Sequence, residues 1–417
     1  MLLLDLLYTL LLLVSFPVWL RFLLRKSYRD IIRRRLWPDL SPSDTPRLWI
    51  HAVSVGEVHS LKRLLSSLRE STPLPVVLTV TTPSGLDRAR SAFPGIEVIP
   101  APLDFSVTVR RFIDRIHPAA LVLNELEIWP NWIRAAARRD VPIALINGRI
   151  SGPAFRRYRP VRRLIRPLMA RLDLFLLQSE FYRHRFSVLG APASRIAICG
   201  NIKADEAWGA AADLPAAEAV FTHLKTAAPE RPLVILASTH PADEERFIPL
   251  IARLQQTFAF IVVPRHPGRA PAVGDRLEAQ GIRTALWTRA ADVDLHRQVL
   301  VYDEIGYLMR MFAVADLVLM GGTFDAAIGG HNLYEPAACG KPVVGGPHND
   351  NFPDIARDLA HAGVYRMGRT VDELEAALKG LVREDAGRLA SAARDIVDRN
   401  RGSIACTMEH LHPLLNR

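Results

Sequence analysis

Short, nearly continuous apolar runs alternate with segments of helical spacing along most of this chain. Residues 48–53, 76–80, 96–99, 120–123, 143–146 and 174–177 read as buried strands, with helix-compatible stretches such as 58–69 between them. After a Pro- and Ala-rich stretch at 213–232, a second series follows at 233–237, 260–263, 299–302, 317–320 and 342–344. Strands alternating with helices predict parallel sheets covered on both faces. The expected fold class is therefore α/β, two Rossmann-like doubly wound domains at 25–212 and 213–417, joined by a linker between Asn201 and Pro232 and facing a cleft. In open sheets of this kind ligands bind at the carboxyl ends of the strands, so motifs placed there gain weight.

The segment before the first strand has a different pattern. Residues 2–24 are mostly Leu, Val, Phe and Trp, broken by Asp5, Tyr8, Thr9, Ser15, Pro17 and Arg21, and about 20 apolar residues suffice to span a bilayer. No basic region precedes the run and no small-x-small site follows it, so a cleaved signal peptide is not expected. Residues 1–24 are read as a membrane anchor, either a single span or an in-plane interfacial helix, with Pro17 and Asp5 weighing against a full crossing. The arginines that follow place the downstream chain in the cytoplasm by the positive-inside tendency.

Charge sharpens that picture. The net charge of +10 is concentrated in Arg21, Arg25, Lys26, Arg29, Arg33, Arg34 and Arg35, and again in Arg149, Arg156, Arg157, Arg159, Arg162, Arg163, Arg166 and Arg171. Such runs are usually solvated faces, but beside a membrane segment they favour anionic head groups. Interleaved aromatics and nucleic-acid-binding motifs are missing, so a basic scaffold touching nucleic acid is the weaker reading. The three cysteines, Cys199, Cys339 and Cys406, are far apart and lack metal-ligand spacing, which argues against a disulfide framework and fits a reducing compartment.

Candidate chemistry gathers at strand ends. Gly321-Gly322-Thr323-Phe324, then Gly329-Gly330-His331-Asn332 and Glu335-Pro336, form a strand-to-helix corner of the kind that binds a phosphate on backbone N–H groups, with Glu335 placed for ribose hydroxyls. Ser238-Thr239-His240 closes another strand and suits a phosphate or an ordinary N-cap. Pro264-Arg265-His266-Pro267 offers a guanidinium, and Gly200-Asn201-Ile202-Lys203 brings a lysine to the crossover. In the first domain Glu57, at the turn Ser54-Val55-Gly56-Glu57, suits either the helix dipole or a general base. Alternation points Glu125 and Glu127 of Asn124-Glu125-Leu126-Glu127 the same way, with salt bridges to Arg134 or Arg149 as the plainer alternative, and His51 reads as a packed strand residue. No Walker loop or metal cluster is apparent.

Taken in order, these motifs, with Trp129-Pro130-Asn131, Asn147-Gly148-Arg149-Ile150-Ser151, Gly346-Pro347-His348 and Asn351-Phe352, resemble the 3-deoxy-D-manno-octulosonic acid (Kdo) transferases of lipopolysaccharide synthesis over essentially the whole chain. The resemblance implies a GT-B fold and inverting, metal-independent transfer of Kdo from CMP-Kdo to a lipid A precursor, with no cofactor. It implies Glu57 as the base, Glu125 organising the acceptor and donor carboxylate, and Ser238, Thr239, Arg265, Gly330, His331, Asn332 and Glu335 holding CMP, with Lys203 and His266 beside them. It also implies an enzyme at the cytoplasmic face of the inner membrane, with Arg149, Arg156, Arg157 and Arg159 against acceptor phosphates or lipid. The chain departs from the family pattern at Leu126, where the family usually has Thr, and at Leu333, where Pro usually follows Asn. A GT-B transferase using a UDP-sugar on another membrane lipid is the alternative enzyme reading.

Overall fold

The computed structural model describes residues 2–16, 26–212, 214, 230–289 and 293–415. Two compact units emerge: Met1–Ile202 together with Gly402–Arg417, and Lys203–Arg401. The boundary expected at 212/213 thus lies at 202/203, and the last residues, expected in the second domain, belong to the first unit. The reason is the helix Ser403–Leu415, whose Ile404, Leu411 and Leu414 bury into one face of the first sheet. Much of the expected linker, 213 and 215–229, lies outside the described residues.

In the first unit β1 (Arg47–Ala52), β2 (Val76–Val80), β3 (Glu97–Pro100), β4 (Pro118–Asn124), β5 (Ile143–Gly148), β6 (Leu174–Leu177) and β7 (Ile196–Ile198) form a seven-stranded parallel sheet, ordered β3-β2-β1-β4-β5-β6-β7. Successive side chains serve opposite faces: Leu48, Ile50 and Ala52 pack with Val58, Leu61 and Leu65, while Trp49, Leu121 and Leu123 pack with Trp132 and Phe112. This double burial is why the strands read as continuous apolar runs. The helix expected over 58–69 is two, Val55–Ser60 and Lys62–Ser71, meeting at Leu61.

The second unit repeats the plan. Strands β8 (Leu233–Thr239), β9 (Ala259–Pro264), β10 (Thr284–Leu286), β11 (Val299–Val301), β12 (Leu317–Met320), β13 (Val343–Gly345) and β14 (Tyr365–Met367) order as β10-β11-β9-β8-β12-β13-β14, all parallel. Three strands were not anticipated: β7, β10 and β14. Each is three residues long and lies at a sheet edge, where little apolar periodicity is required. In each sheet the order reverses beside the first strand, between β1 and β4 and between β8 and β12. Those two reversal points carry the motifs.

Near the N-terminus a helix covers Leu2–Val14, about 20 Å at 1.5 Å per residue. Among the described residues no helix is long and apolar enough to cross a membrane. Residues 17–24 of the expected anchor, with Arg21, and Arg25 just after it lie outside the described residues. Asp5, a lone acid in this apolar helix, has three partners in the body of the first unit. Its carboxylate accepts from the Ser106 N–H and Asn131 Nδ2, each at 3.0 Å, and from the Ser106 hydroxyl. It thereby caps the helix Ser106–Ile116. Tyr8 donates to Asp104 at 2.9 Å, and Asp104 accepts from the N–H groups of Asn131 (3.0 Å) and Trp132 (3.2 Å) at the start of the helix Pro130–Ala137. The polar side of the N-terminal helix is therefore docked on the first unit, and Leu6, Leu7, Leu10, Leu11, Leu13 and Val14 face outward.

One expectation about cysteine is overturned. Cys199 and Cys406 form a disulfide with Cα atoms 5.4 Å apart, although 207 residues separate them in sequence. The return of the C-terminal helix to the end of β7 creates the pairing, which sequence spacing conceals.

Candidate active site

At the first reversal point the chain turns from β1 into the helix Val55–Ser60, and Glu57 lies in that helix's first turn. Its Oε2 accepts from the Val53 N–H at 3.0 Å and from Asn124 Nδ2 at 3.3 Å, so the end of β4 holds the carboxylate delivered by β1. The Ser54 hydroxyl sits 3.4 Å from Oε1. Asn124 thus positions the carboxylate, a part that its place in the Asn124-Glu125-Leu126-Glu127 motif does not reveal.

Glu125 adopts φ +61°, a left-handed conformation that costs a non-glycine residue on the order of 1 kcal/mol. That twist ends the strand and breaks the alternation expected to aim Glu125 and Glu127 together. Glu125 turns inward to Arg149, whose Nε donates to Oε2 at 2.7 Å. Burial works against the charge on Arg149, but the Glu125 carboxylate, with Glu57 also acting on it, holds its pKa above the usual value. Glu127 goes elsewhere, taking the Trp129 indole N–H at 2.5 Å and lying 3.5 Å from His51 Nε2. His51 is fully buried, edge-on to Trp132, with Nδ1 3.0 Å from the Thr79 hydroxyl. Arg149 is thus part of this inner pair, whereas Arg156, Arg157 and Arg159 are exposed at and beyond the end of the helix Gly152–Tyr158.

At the second reversal point Asp243 organises the backbone. Fully buried, it accepts from the N–H groups of His240 (2.8 Å) and Gly322 (2.7 Å) and, more weakly, Phe324 (3.3 Å), tying the exit of β8 to the exit of β12. Ser238 takes φ +55° just before this junction, and the β8–β9 register shifts there. Thr239 is fully buried, its hydroxyl without a hydrogen-bond partner among the described residues. Gly322 has no substitute: at φ +70° a Cβ would lie 2.7 Å from the His331 ring. Gly330 closes the loop, its N–H on the Gly322 carbonyl at 2.8 Å and its own carbonyl taking Asn351 Nδ2 at 3.1 Å.

Here three imidazoles converge. His240 and His331 stack with centroids 5.1 Å apart and Nε2 atoms 2.9 Å apart, so one ring donates to the other, and His266 meets His240 edge-on. Burial, then His240, Arg265 and His266, push His331 down to about 3; His240 is lowered chiefly by burial. Glu335 lies in the first turn of the helix Tyr334–Ala338, accepts from Asn332 Nδ2 at 3.0 Å, and is pushed up by burial while Asn332, Lys203 and Arg265 pull it down. Lys203 also lies over the Phe352 ring at 5.3 Å. The corner helix has only five residues, and its Tyr334 N–H is already taken by Asn332 Oδ1 at 3.1 Å, so side chains carry more of the ligand chemistry than a helix N-terminus would. His240 and Asp243 were not assigned from sequence; the signal available was His240-Pro241-Ala242-Asp243, a capping pattern directly after a strand.

The depressed histidines make a prediction. A histidine whose folded pKa lies below its unfolded value of 6.5 loses stabilisation as pH falls through and below 6.5. Buried Asp104, raised to about 7, acts in the opposite sense, since its folded-state penalty grows as pH rises toward 7. The informative quantity is therefore a difference: in urea unfolding, the wild type should lose about 1–2 kcal/mol more than His331→Gln between pH 7 and pH 5. Equal losses would show that His331 is not held neutral.

Residues 30–206 match the family model described as 3-Deoxy-D-manno-octulosonic-acid transferase (kdotransferase). The chain is 31% identical, over 98% of its length and 98% of the relative's, to the 3-deoxy-D-manno-octulosonic acid transferase of Haemophilus influenzae. It is 34% identical to that of Bordetella pertussis over 88% of this chain and 87% of the other. Among solved structures, UDP-GlcNAc 2-epimerase from Neisseria meningitidis bound to UDP-GlcNAc superposes with TM-score 0.60 at 12% identity, over 88% of this chain and 100% of that one. A glycosyltransferase from Rickettsia africae gives TM-score 0.61 at 11% identity, over 89% and 99%. Those likenesses show the fold, two Rossmann-like parallel sheets with neighbours in the GT-B class. With identity above 30% sustained along nearly its whole length, the chain belongs to the 3-deoxy-D-manno-octulosonic acid (Kdo) transferase family of glycosyltransferases.

Proposed function

We propose that the chain transfers Kdo from CMP-Kdo to a lipid A precursor of the lipid IVA type, with inversion and without a metal ion, at the cytoplasmic face of the inner membrane. The observation that carries this reading is the arrangement at the first reversal point. A carboxylate, Glu57, is fixed by Val53 and Asn124 beside the ion pair of buried Glu125 with partly buried Arg149. Glu57 takes the proton of the acceptor hydroxyl as it attacks the anomeric carbon of Kdo, and CMP departs from the opposite face. Arg149 and Glu125 orient the acceptor and the donor's carboxylate. In the second unit Arg265, Lys203 and the His240–His331 pair receive the nucleotide phosphate, Glu335 the ribose, and the cations stabilise charge developing on the leaving CMP. The test is incubation with CMP-Kdo generated in situ and a tetraacylated lipid A precursor, with product mass counting the sugars added. CMP should inhibit more strongly than UDP; stronger inhibition by UDP would move the assignment to a UDP-sugar transferase.

Two surface features support membrane attachment as part of this reading. One is the outward leucine face of the helix Leu2–Val14. The other is Leu164 and Val161, 72% and 44% exposed, among the exposed Arg156, Arg157, Arg159, Arg162, Arg163 and Arg166. Apolar residues ringed by arginine suit an interface where lipid tails and phosphates meet. At about 1 kcal/mol per basic residue, neutralising Arg156, Arg157 and Arg159 together should weaken co-sedimentation with anionic liposomes at least about tenfold. Unchanged co-sedimentation would remove these arginines from the membrane face.

A further inference from the structure

The cystine has a neighbour that the glycosyl transfer chemistry does not use. His410 lies one helical turn after Cys406, with Nδ1 3.8 Å from Cys406 Sγ and 2.9 Å from the Cys406 carbonyl oxygen. Cys199 reaches the same point from the end of β7, its N–H held by the Leu177 carbonyl at 3.0 Å. One imidazole nitrogen and the two sulfurs all lie within 4.8 Å of one another. Two thiolates and one imidazole at this spacing are a donor set for a thiophilic divalent cation: with metal–sulfur bonds of about 2.3 Å and metal–nitrogen bonds of about 2.0 Å, tetrahedral ligands stand roughly 3.5–3.8 Å apart.

We propose that Cys199, Cys406 and His410 form a second site with two chemical states. Oxidised, it is the disulfide. Reduced by a dithiol or phosphine, it is a Cys2His site for zinc or a similar cation, with one coordination position left for water. The reduction breaks the S–S bond and adds two electrons and two protons to the sulfurs; a dithiol supplies both and becomes its disulfide, whereas a phosphine supplies the electrons, water supplies the protons and the oxygen, and the product is the phosphine oxide. The cation then displaces both thiol protons, and His410 exchanges its contact with the Cys406 carbonyl for the metal. Position gives the site its interest. Cys199 lies three residues before the first unit's segment ends at Ile202, and Cys406 four residues after it resumes at Gly402, so either linkage closes the whole second unit into one loop. Cys339, the remaining thiol, is buried in the second unit and is not part of the set.

The full-length protein, opened with a phosphine, desalted without air and titrated with cobalt(II), tests this. The expected result is one equivalent bound per chain, with a near-ultraviolet thiolate-to-cobalt charge-transfer band and visible bands of tetrahedral intensity, both removed by zinc. Cys199→Ser and Cys406→Ser should abolish the charge-transfer band's full intensity and lower affinity by at least tenfold. His410→Ala, which leaves the disulfide intact, should weaken binding tenfold or more and shift the visible bands. Reduced wild type, which also lacks the disulfide, is the folding control for the serine variants. Absence of bands in reduced wild type, bands unchanged in any of the three variants, or a disulfide that phosphine leaves closed in the folded protein would each overturn the proposal.

Discussion

Glu57→Gln is expected to leave a folded protein that still binds CMP but transfers sugar about 10²- to 10⁴-fold more slowly, the range over which a positioned general base contributes. The substitution keeps the length of the side chain and an oxygen to accept from Val53, so the turn at Ser54-Val55-Gly56-Glu57 survives. What it removes is the capacity to accept a proton. Glu57→Ala should be equally inactive and also slightly less stable, because the Val53 N–H loses its acceptor, a loss of about 1 kcal/mol. Asn124→Ala should act more mildly, since it loosens the carboxylate without deleting it. Turnover measured with CMP-Kdo and the acylated acceptor decides the matter: a Gln variant within about tenfold of wild type would assign the base elsewhere, even if the reaction itself is confirmed.

Asp243→Ala should have the largest effect on the second unit's integrity. Three backbone N–H groups converge on this one carboxylate, two of them at 2.7–2.8 Å, and the side chain is fully buried. Each buried donor left without a partner costs about 1–3 kcal/mol, so the variant should lose roughly 3 kcal/mol or more. For a unit of this size each kcal/mol corresponds to about 2–4 °C, which predicts a melting point lower by roughly 6–12 °C. Because the same N–H groups fix the glycine corner and His240, CMP affinity should fall with it. Burial raises the Asp243 carboxyl pKa despite its donors, so a neutral amide is tolerated better than a methyl, and Asp243→Asn should fall between wild type and Ala. A melting point for the Ala variant within about 2 °C of wild type would show that water replaces the carboxylate at the junction.

Much of this was legible in the chain because burial on both sheet faces forces continuous apolar strands, and ligand-facing motifs must follow them. Runs such as 121–123 and 317–320 therefore announced both β4 and β12 and the corners beyond them. What stayed hidden depends on backbone conformation or on contacts distant in sequence. The positive φ of Glu125 redirects a side chain that strand alternation would aim elsewhere. Asp5 looked like a flaw in an apolar helix until its partners at Ser106 and Asn131, more than 100 residues away, came into view. Asp243 stands in the first turn of the helix Pro241–Leu254, where nothing local in the chain shows that its principal work is across β8, at Gly322.

The C-terminal helix sets the order in which the protein can be completed at the ribosome. Ile404, Leu411 and Leu414 fill the same face as Leu64, Leu65 and Val80, yet they are translated only after the second unit, Lys203–Arg401, has been made. At 5–20 residues per second that interval is about 10–40 s. Throughout it the nascent first unit holds one apolar face open, and by its end the later-made unit has its full sequence. The unit begun first is thus finished last, and chaperone capture during synthesis should fall on its uncovered face.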